Sequence, residues 1–160
     1  MKINEPIVLN SQIKDDVKFG NNVKIVMPSN LYGCVIGDNS FIGPFVEIQE
    51  DVEIGNSTKI QSHAFICSLV KIGNNCFIGH GVKFVNDKFL NDGPAMGDKS
   101  KWGHTTVGNN VSIGTNATIL PVNICDYVVI GAGAVVTKDI LNPGVYVGNP
   151  AKLLKSLKKN

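Results

Sequence analysis

Ile36-Gly37-Asp38-Asn39-Ser40-Phe41-Ile42-Gly43-Pro44-Phe45-Val46-Glu47-Ile48 opens the run that decides the fold. Through Phe84 an aliphatic or aromatic residue returns every six positions: Ile36, Ile42, Ile48, Ile54, Ile60, Ile66, Ile72, Ile78, Phe84. Four places after each, up to Ile78, stands a small or β-branched residue: Ser40, Val46, Val52, Thr58, Ala64, Val70, Cys76, Val82. A period of six suits neither a helix nor a two-faced strand. It is the hexapeptide pattern of a parallel β-helix. Each hexad gives one short strand and one turn, and three close a triangular coil of about 18 residues. The large residue points inward and stacks on its equivalent one coil away. Gly, Asn and Asp collect at the corners, as in Gly37-Asp38-Asn39 and Gly73-Asn74-Asn75, where a positive φ costs least.

Upstream, Ile7, Ile13, Phe19, Ile25 and Leu31 keep the phase, with Ser11, Val17, Val23 and Ser29 at the small positions. The step from Leu31 to Ile36 is five, so one corner near Gly33 is a residue short. After Phe84 the pattern fails, because the phase would put Lys88, Pro94 and Ser100 inside, and a buried unpaired Lys is too costly. Val85 to Thr106 therefore reads as a loop thrown out from the coil, with Trp102 packing it down. A loop of this length in a compact domain is commonly functional. The coil resumes at Val107, Ile113 and Ile119, and again at Ile124, Ile130 and Val136, with Ala134 and Ile140 at small sites. Residues 150–160 read as a cap: Leu153, Leu154 and Leu157 share one face of a short C-terminal helix that covers the open end.

The 160 residues form one domain, residues 1–160, with a narrow aliphatic core. The net charge of +2 does not point to nucleic acid. All cations are Lys, so phosphate would be met by Lys, hydroxyls or backbone N–H and not by a guanidinium fork. Cys34, Cys67, Cys76 and Cys125 lack C-x-x-C spacing, and Cys76 falls on an inward position. With no signal peptide or membrane span legible, a cytoplasmic protein with reduced thiols is the expectation.

Three residues on the coil draw attention. His63 is the fourth residue of its hexad, at an outward corner. Eighteen residues on lies Gly81, so the following coil offers no side chain beside it. His80 lies eighteen after Ser62, and the two should stack about 4.8 Å apart, the strand spacing. Ser62, His63 and His80 then cluster on one edge, near the root of the loop. The plain reading is solvated corner histidines; the functional one is a general base. Asn86 and Asp87 open the loop, as substrate ligands or as an Asx turn. His104 sits at the loop's return, where spacing does not place it.

The repeats, the out-loop, Ile130-Gly131-Ala132-Gly133-Ala134-Val135-Val136-Thr137-Lys138-Asp139 and Val147-Gly148-Asn149-Pro150-Ala151-Lys152 together resemble the hexapeptide-repeat acyltransferases. Lys59-Ile60-Gln61 and Phe84-Val85-Asn86 look most like the nucleotide-sugar N-acetyltransferases within them. The resemblance implies an all-β fold, a left-handed parallel β-helix, against the usual right-handed crossover rule. It implies a homotrimer, with acetyl-CoA in the groove between subunits and a dTDP- or UDP-linked amino-deoxysugar near the out-loops. It makes His63 the catalytic candidate, with Gln61, Ser62, His80, Asn86 and Asp87 toward substrate. Gly131, Ala132, Gly133, Ala134, Lys138 and Lys152 would line the CoA path, and Lys155, Lys158 and Lys159 form an exposed tail. Ser62-His63 stands where 3-amino-sugar acetyltransferases carry two asparagines, which leaves the sugar open. Other classes are an O-acetyltransferase, a non-catalytic binding prism and a γ-carbonic-anhydrase-like zinc protein. The last needs a second His shortly after Gly79-His80, and Gly81 to Phe84 contain none.

Overall fold

The structure, a computed structural model, describes residues 12–89 and 93–157. Ile7, Ser11, Leu90, Lys158 and Lys159 lie outside the described residues. The chain winds into three sheets of six, eight and six strands, parallel but for the last strand of the second, which form the faces of a prism. The first face is built from Lys18–Phe19, Val35–Ile36, Glu53–Ile54, Val70–Ile72, Thr105–Val107 and Asn123–Ile124. The second holds Lys24–Ile25, Phe41–Ile42, Lys59–Ile60, Phe77–Ile78, Ser112–Ile113, Val128–Ile130, Gly144–Val147 and Lys152–Ser156. Asn30–Leu31, Glu47–Ile48, Phe65–Ile66, Lys83–Phe84, Thr118–Ile119 and Val135–Val136 make the third. The architecture fits a left-handed parallel β-helix.

The hexad rule accounts for the core. Ile36, Ile54 and Ile72 stack on the first face, Ile42, Ile60 and Ile78 on the second, and Leu31, Ile48, Ile66 and Phe84 on the third, all buried. Each buried side chain of this size is worth about 1.5–3 kcal/mol over its exposed state. Phe19 keeps register with Ile36 but is 44% exposed, because it sits near the end of the stack. The short step at Gly33 appears as a 17-residue coil pairing Lys18 with Val35.

The expected positive φ falls at the Asn of the quoted corners, Asn39 and Asn75, and not at their Gly. Positive φ falls three residues after each large residue, at Asn39, Phe45, Asp51, Ser57, His63, Leu69 and Asn75. The Gly that follows the large residue is instead a point of close approach. A Cβ on Gly37 would stand 2.5 Å from Asn56 Oδ1 and 2.7 Å from the Gly55 carbonyl carbon. Between the first and second faces the corners carry a side-chain ladder. Asp38 accepts the N–H of Asn21, Asn56 that of Asp38, Asn74 that of Asn56, and Asn109 that of Asn74, at 2.6–2.8 Å.

Three expectations need correction. The terminal segment is a strand and not a helix: Lys152–Ser156 runs antiparallel to Gly144–Val147. That last parallel strand offers a free row of N–H and C=O groups, and pairing them outweighs the helical spacing of the leucines. Leu153 and Leu154 remain exposed. Ile140 does not take a small site; it bridges Ile124 in the large inward position, only four residues after Val136. Thr105 and Thr106 belong to the coil, paired with Val70 and Lys71, so the excursion ends at His104.

Candidate active site

The residues of interest lie on the prism edge between the second and third faces. Strand Lys59–Ile60 ends there, Gln61 to Ala64 turn the corner, and strand Phe65–Ile66 begins. His63 takes the positive-φ position (φ 62°), which throws its side chain outward, and it is exposed. Its N–H donates to Pro44 O at 3.2 Å on the preceding coil, and its carbonyl accepts the Lys83 ammonium. Ser62 Oγ and His80 Nδ1 are 2.8 Å apart, so the eighteen-residue offset brings them together as expected. The column formed by successive corners runs Phe45, His63, Gly81, Asn116. Gly81 (φ +67°) leaves the His63 ring without a side chain on that side; a Cβ there would meet Asn116 Oδ1 at 2.2 Å. On the other side the imidazole stacks on Phe45, with centroids 4.9 Å apart and planes 14° apart. Phe45 and Lys83 are the residues the sequence reading missed. The signal for Phe45 was available, since it precedes His63 by eighteen residues in the same hexad position.

Gln61 leads off this edge onto the second face, where it lines an open groove with Lys24, Phe41 and Lys59. Gly131 to Ala134 turn the same edge further along, between strands Val128–Ile130 and Val135–Val136. At about 4.8 Å per coil, Gly133 lies roughly 14 Å from His63 along the edge. The segment is smooth: a Cβ on Gly133 would meet nothing within 4 Å. Such a wall fits an extended, slender ligand arm laid along the axis. Lys152, on the terminal strand of the second face, and Lys138, on the neighbouring edge, are both exposed.

The out-loop does not root beside the histidines in a single chain. It leaves after strand Lys83–Phe84, from the edge between the third and first faces, one face away from His63. Its ends are tied, with Gly103 N–H donating to Asn86 O at 2.7 Å. The Asn86 amide donates to Ser68 O at 3.4 Å. Both Asp87 oxygens hold the loop itself, accepting from Phe89 N–H at 2.8 Å and Ala95 N–H at 2.7 Å. Lys99 reaches back to Glu50 at 2.8 Å. His104 is exposed and lines a hollow with Asp51 and Lys71 on the first-face side. No group of three His, Cys, Asp or Glu among the described residues is placed to hold a metal ion. Nor is any helix among them long and apolar enough to cross a membrane.

The bacterial transferase hexapeptide (six repeats) family matches residues 33–68. The hexapeptide repeat of succinyl-transferase matches residues 69–82 and 104–138, skipping the loop. Together they cover more than half of the chain, which belongs to the hexapeptide-repeat transferases. The bifunctional protein GlmU of Acidithiobacillus ferrooxidans is 31% identical over 137 residues, covering 80% of this chain and 30% of that protein. GlmU of Wolbachia pipientis wMel is 28% identical over 165 residues, 95% of this chain and 38% of its own. The chain thus spans about a third of the length of these curated relatives. Among solved structures, a hexapeptide-repeat acetyltransferase from Vibrio cholerae complexed with acetyl-CoA superposes with a TM-score of 0.69 at 25% identity, covering 80% of this chain and 73% of that one. A galactoside acetyltransferase in complex with coenzyme A gives 0.67 at 28%, covering 77% and 64%. A GDP-perosamine N-acetyltransferase mutant from Caulobacter crescentus, with CoA and GDP-perosamine, gives 0.61 at 22%, covering 91% and 56%, and bears on the fold alone.

Proposed function

We propose that this chain is an acetyl-CoA-dependent N-acetyltransferase acting on the amino group of a dTDP- or UDP-linked amino-deoxysugar, as used in surface polysaccharide biosynthesis. One observation carries the reading: an exposed cluster of Ser62, His63 and His80 shares a prism edge with the side-chain-poor Gly131–Ala134 segment. Acetyl-CoA supplies the activated acyl carbon. Gly131, Ala132, Gly133 and Ala134 give its arm a smooth path toward the histidines, with Lys138 and Lys152 toward its phosphates. Its attacking partner must be a neutral amine: the new C–N bond replaces the thioester C–S bond, His63 takes the proton the amine loses, and CoA departs as its thiolate. Ser62, held by His80, and Gln61 face the sugar side of the same corner. The two parts of the expected sugar site, His63 and the Asn86–Asp87 loop root, sit on different edges of one chain. A C3 homotrimer would bring one copy's loop toward the next copy's histidine edge, and closes as a heterologous ring.

Turnover of acetyl-CoA with a panel of dTDP- and UDP-linked amino sugars tests the activity. The sedimentation coefficient tests the trimer, and an active monomer would remove it. His63→Asn should lower kcat by roughly 10²–10⁴, the usual worth of a general base. Retention of nearly full kcat would mean that the amine arrives neutral and that positioning carries the catalysis. Transfer to a sugar hydroxyl is the second reading, favoured by the likeness to the galactoside acetyltransferase at 28% identity. Turnover of hydroxyl-only sugars in preference to their amino counterparts would select it.

A further inference from the structure

Phe45 breaks two local rules at once. It holds φ 58°, in the left-handed region that is a genuine outlier for a bulky residue. It is also 56% exposed, so burial does not compensate for the backbone cost. Many other corners of the coil meet the same demand with Asn39, Asp51, Ser57, Asn75 and Asn110, residues that suit that conformation or are at least small, whereas Leu69 (φ 70°) and Tyr127 (φ 60°) are bulky exceptions like Phe45. Strain retained where a cheaper residue would serve the fold is a pointer to function, and what sets Phe45 apart from Leu69 and Tyr127 is the place of its ring against His63. The ring of Phe45 is not idle: it lies nearly parallel to the His63 imidazole, 4.9 Å away. His63 is itself at an exposed corner with Gly81 on its far side, so Phe45 is the side chain that limits its rotation within the column.

We propose that Phe45 is a positioning residue for His63, fixing the plane of the imidazole so that a ring nitrogen meets the acceptor amine. The inference rests on the reading of His63 as the base. Phe45 makes no bond in the reaction and moves no proton; its contribution is orientational, and misplacement of a reacting group by about 1 Å can cost as much as 10²-fold. The strained corner is what makes the role separable from folding. Asn at position 45 suits a positive φ and should leave thermal stability unchanged or raised, while removing the stacking surface.

The experiment combines Phe45→Asn, Phe45→Trp, His63→Asn and the Phe45→Asn/His63→Asn double variant. Activity is assayed with acetyl-CoA and the acceptor turned over fastest in the panel. The His63 ring protons are followed by NMR in the protein alone. Phe45→Asn should lower kcat by about ten- to a hundred-fold with KM little changed, and Phe45→Trp should restore most of it. Removing the ring current should move the His63 ring resonances downfield. In the His63→Asn background the Phe45 substitution should add almost nothing. Unchanged His63 resonances, or full kcat in Phe45→Asn while His63→Asn is impaired, would overturn the positioning role and leave the base reading standing. An equal loss in both backgrounds, or a loss confined to KM, would assign Phe45 to substrate contact instead. Full kcat in His63→Asn would remove the base and the positioning role together.

Discussion

The hydroxyl of Thr58 accepts the backbone N–H of Cys76, one coil on, at 3.1 Å. The same hydroxyl donates to Gly73 O at 2.9 Å. Ser40 repeats the pattern one coil earlier, donating to Gly55 O and accepting from Thr58 N–H. These buried hydroxyls bond neighbouring coils inside the prism, where water cannot substitute. Thr58→Val keeps shape but strands an N–H and a carbonyl, and should cost about 1–3 kcal/mol. Thr58→Ser keeps the bonds and should cost less. Denaturant titration of the two variants checks this; equal losses would mean that the methyl group and not the hydroxyl matters.

Gly73 and Gly93 offer a paired test of the close-approach rule. A Cβ on Gly73 would lie 2.6 Å from Gly108 O, while one on Gly93 meets nothing within 4 Å. Gly73→Ala forces coils apart and should destabilise by about 1–3 kcal/mol, the usual range for overpacking. Gly93→Ala should be near neutral by the same titration.

Burial pushes the Cys34 thiol up to about 11 and the Cys67 thiol up to about 12, from 9.0. In the unfolded chain both ionise near 9, so above that pH the unfolded state holds fewer protons. These groups therefore leave stability unchanged up to about pH 9 and lower it progressively toward 11–12. A melting temperature that falls in this alkaline window, and falls less in Cys67→Ala once the cavity cost at pH 7 is subtracted, is the expected result. At pH 8 iodoacetamide should modify Cys34 and Cys67 only after unfolding.

Asp87 uses both carboxylate oxygens to hold loop backbone. Asp87→Ala should loosen the loop while the coil stays intact. Trypsin should then cut faster after Lys99 or Lys101 with the main unfolding transition little moved. Unchanged cleavage would show that the Lys99–Glu50 pair and the Asn86–Gly103 bond hold the loop without it.

The ladder from Ile36 to Phe84 was fully legible, because inward burial at six-residue spacing leaves a mark at every repeat. Ser62 and His80 were equally legible from their eighteen-residue offset. The same offset taken backwards from His63 finds Phe45; taken forwards it finds only Gly81. The corner glycines looked like turn formers, yet sequence cannot separate a required φ from a close approach, and Gly37 and Gly73 are the latter. Leu153, Leu154 and Leu157 fit a helical face, but an open sheet edge is a property of the assembled fold and overrode that spacing. Asn86 lies only three residues past strand onset at Lys83, and linear nearness to the histidine coil concealed the intervening face of the prism.

The hydrogen bond from Gly103 to Asn86 gives the excursion a closed neck. Coil pairing resumes at once beyond it, with Thr105 opposite Val70. Length is therefore a free variable at this one place. A residue inserted between Ile60 and Ile66 would break the six-residue count and turn the following side chains from core to solvent. A residue inserted above the neck changes nothing in the stack. The prism can thus carry loops of many sizes and compositions on an invariant frame, so its recognition surface can diverge by insertion and deletion while its core tolerates neither.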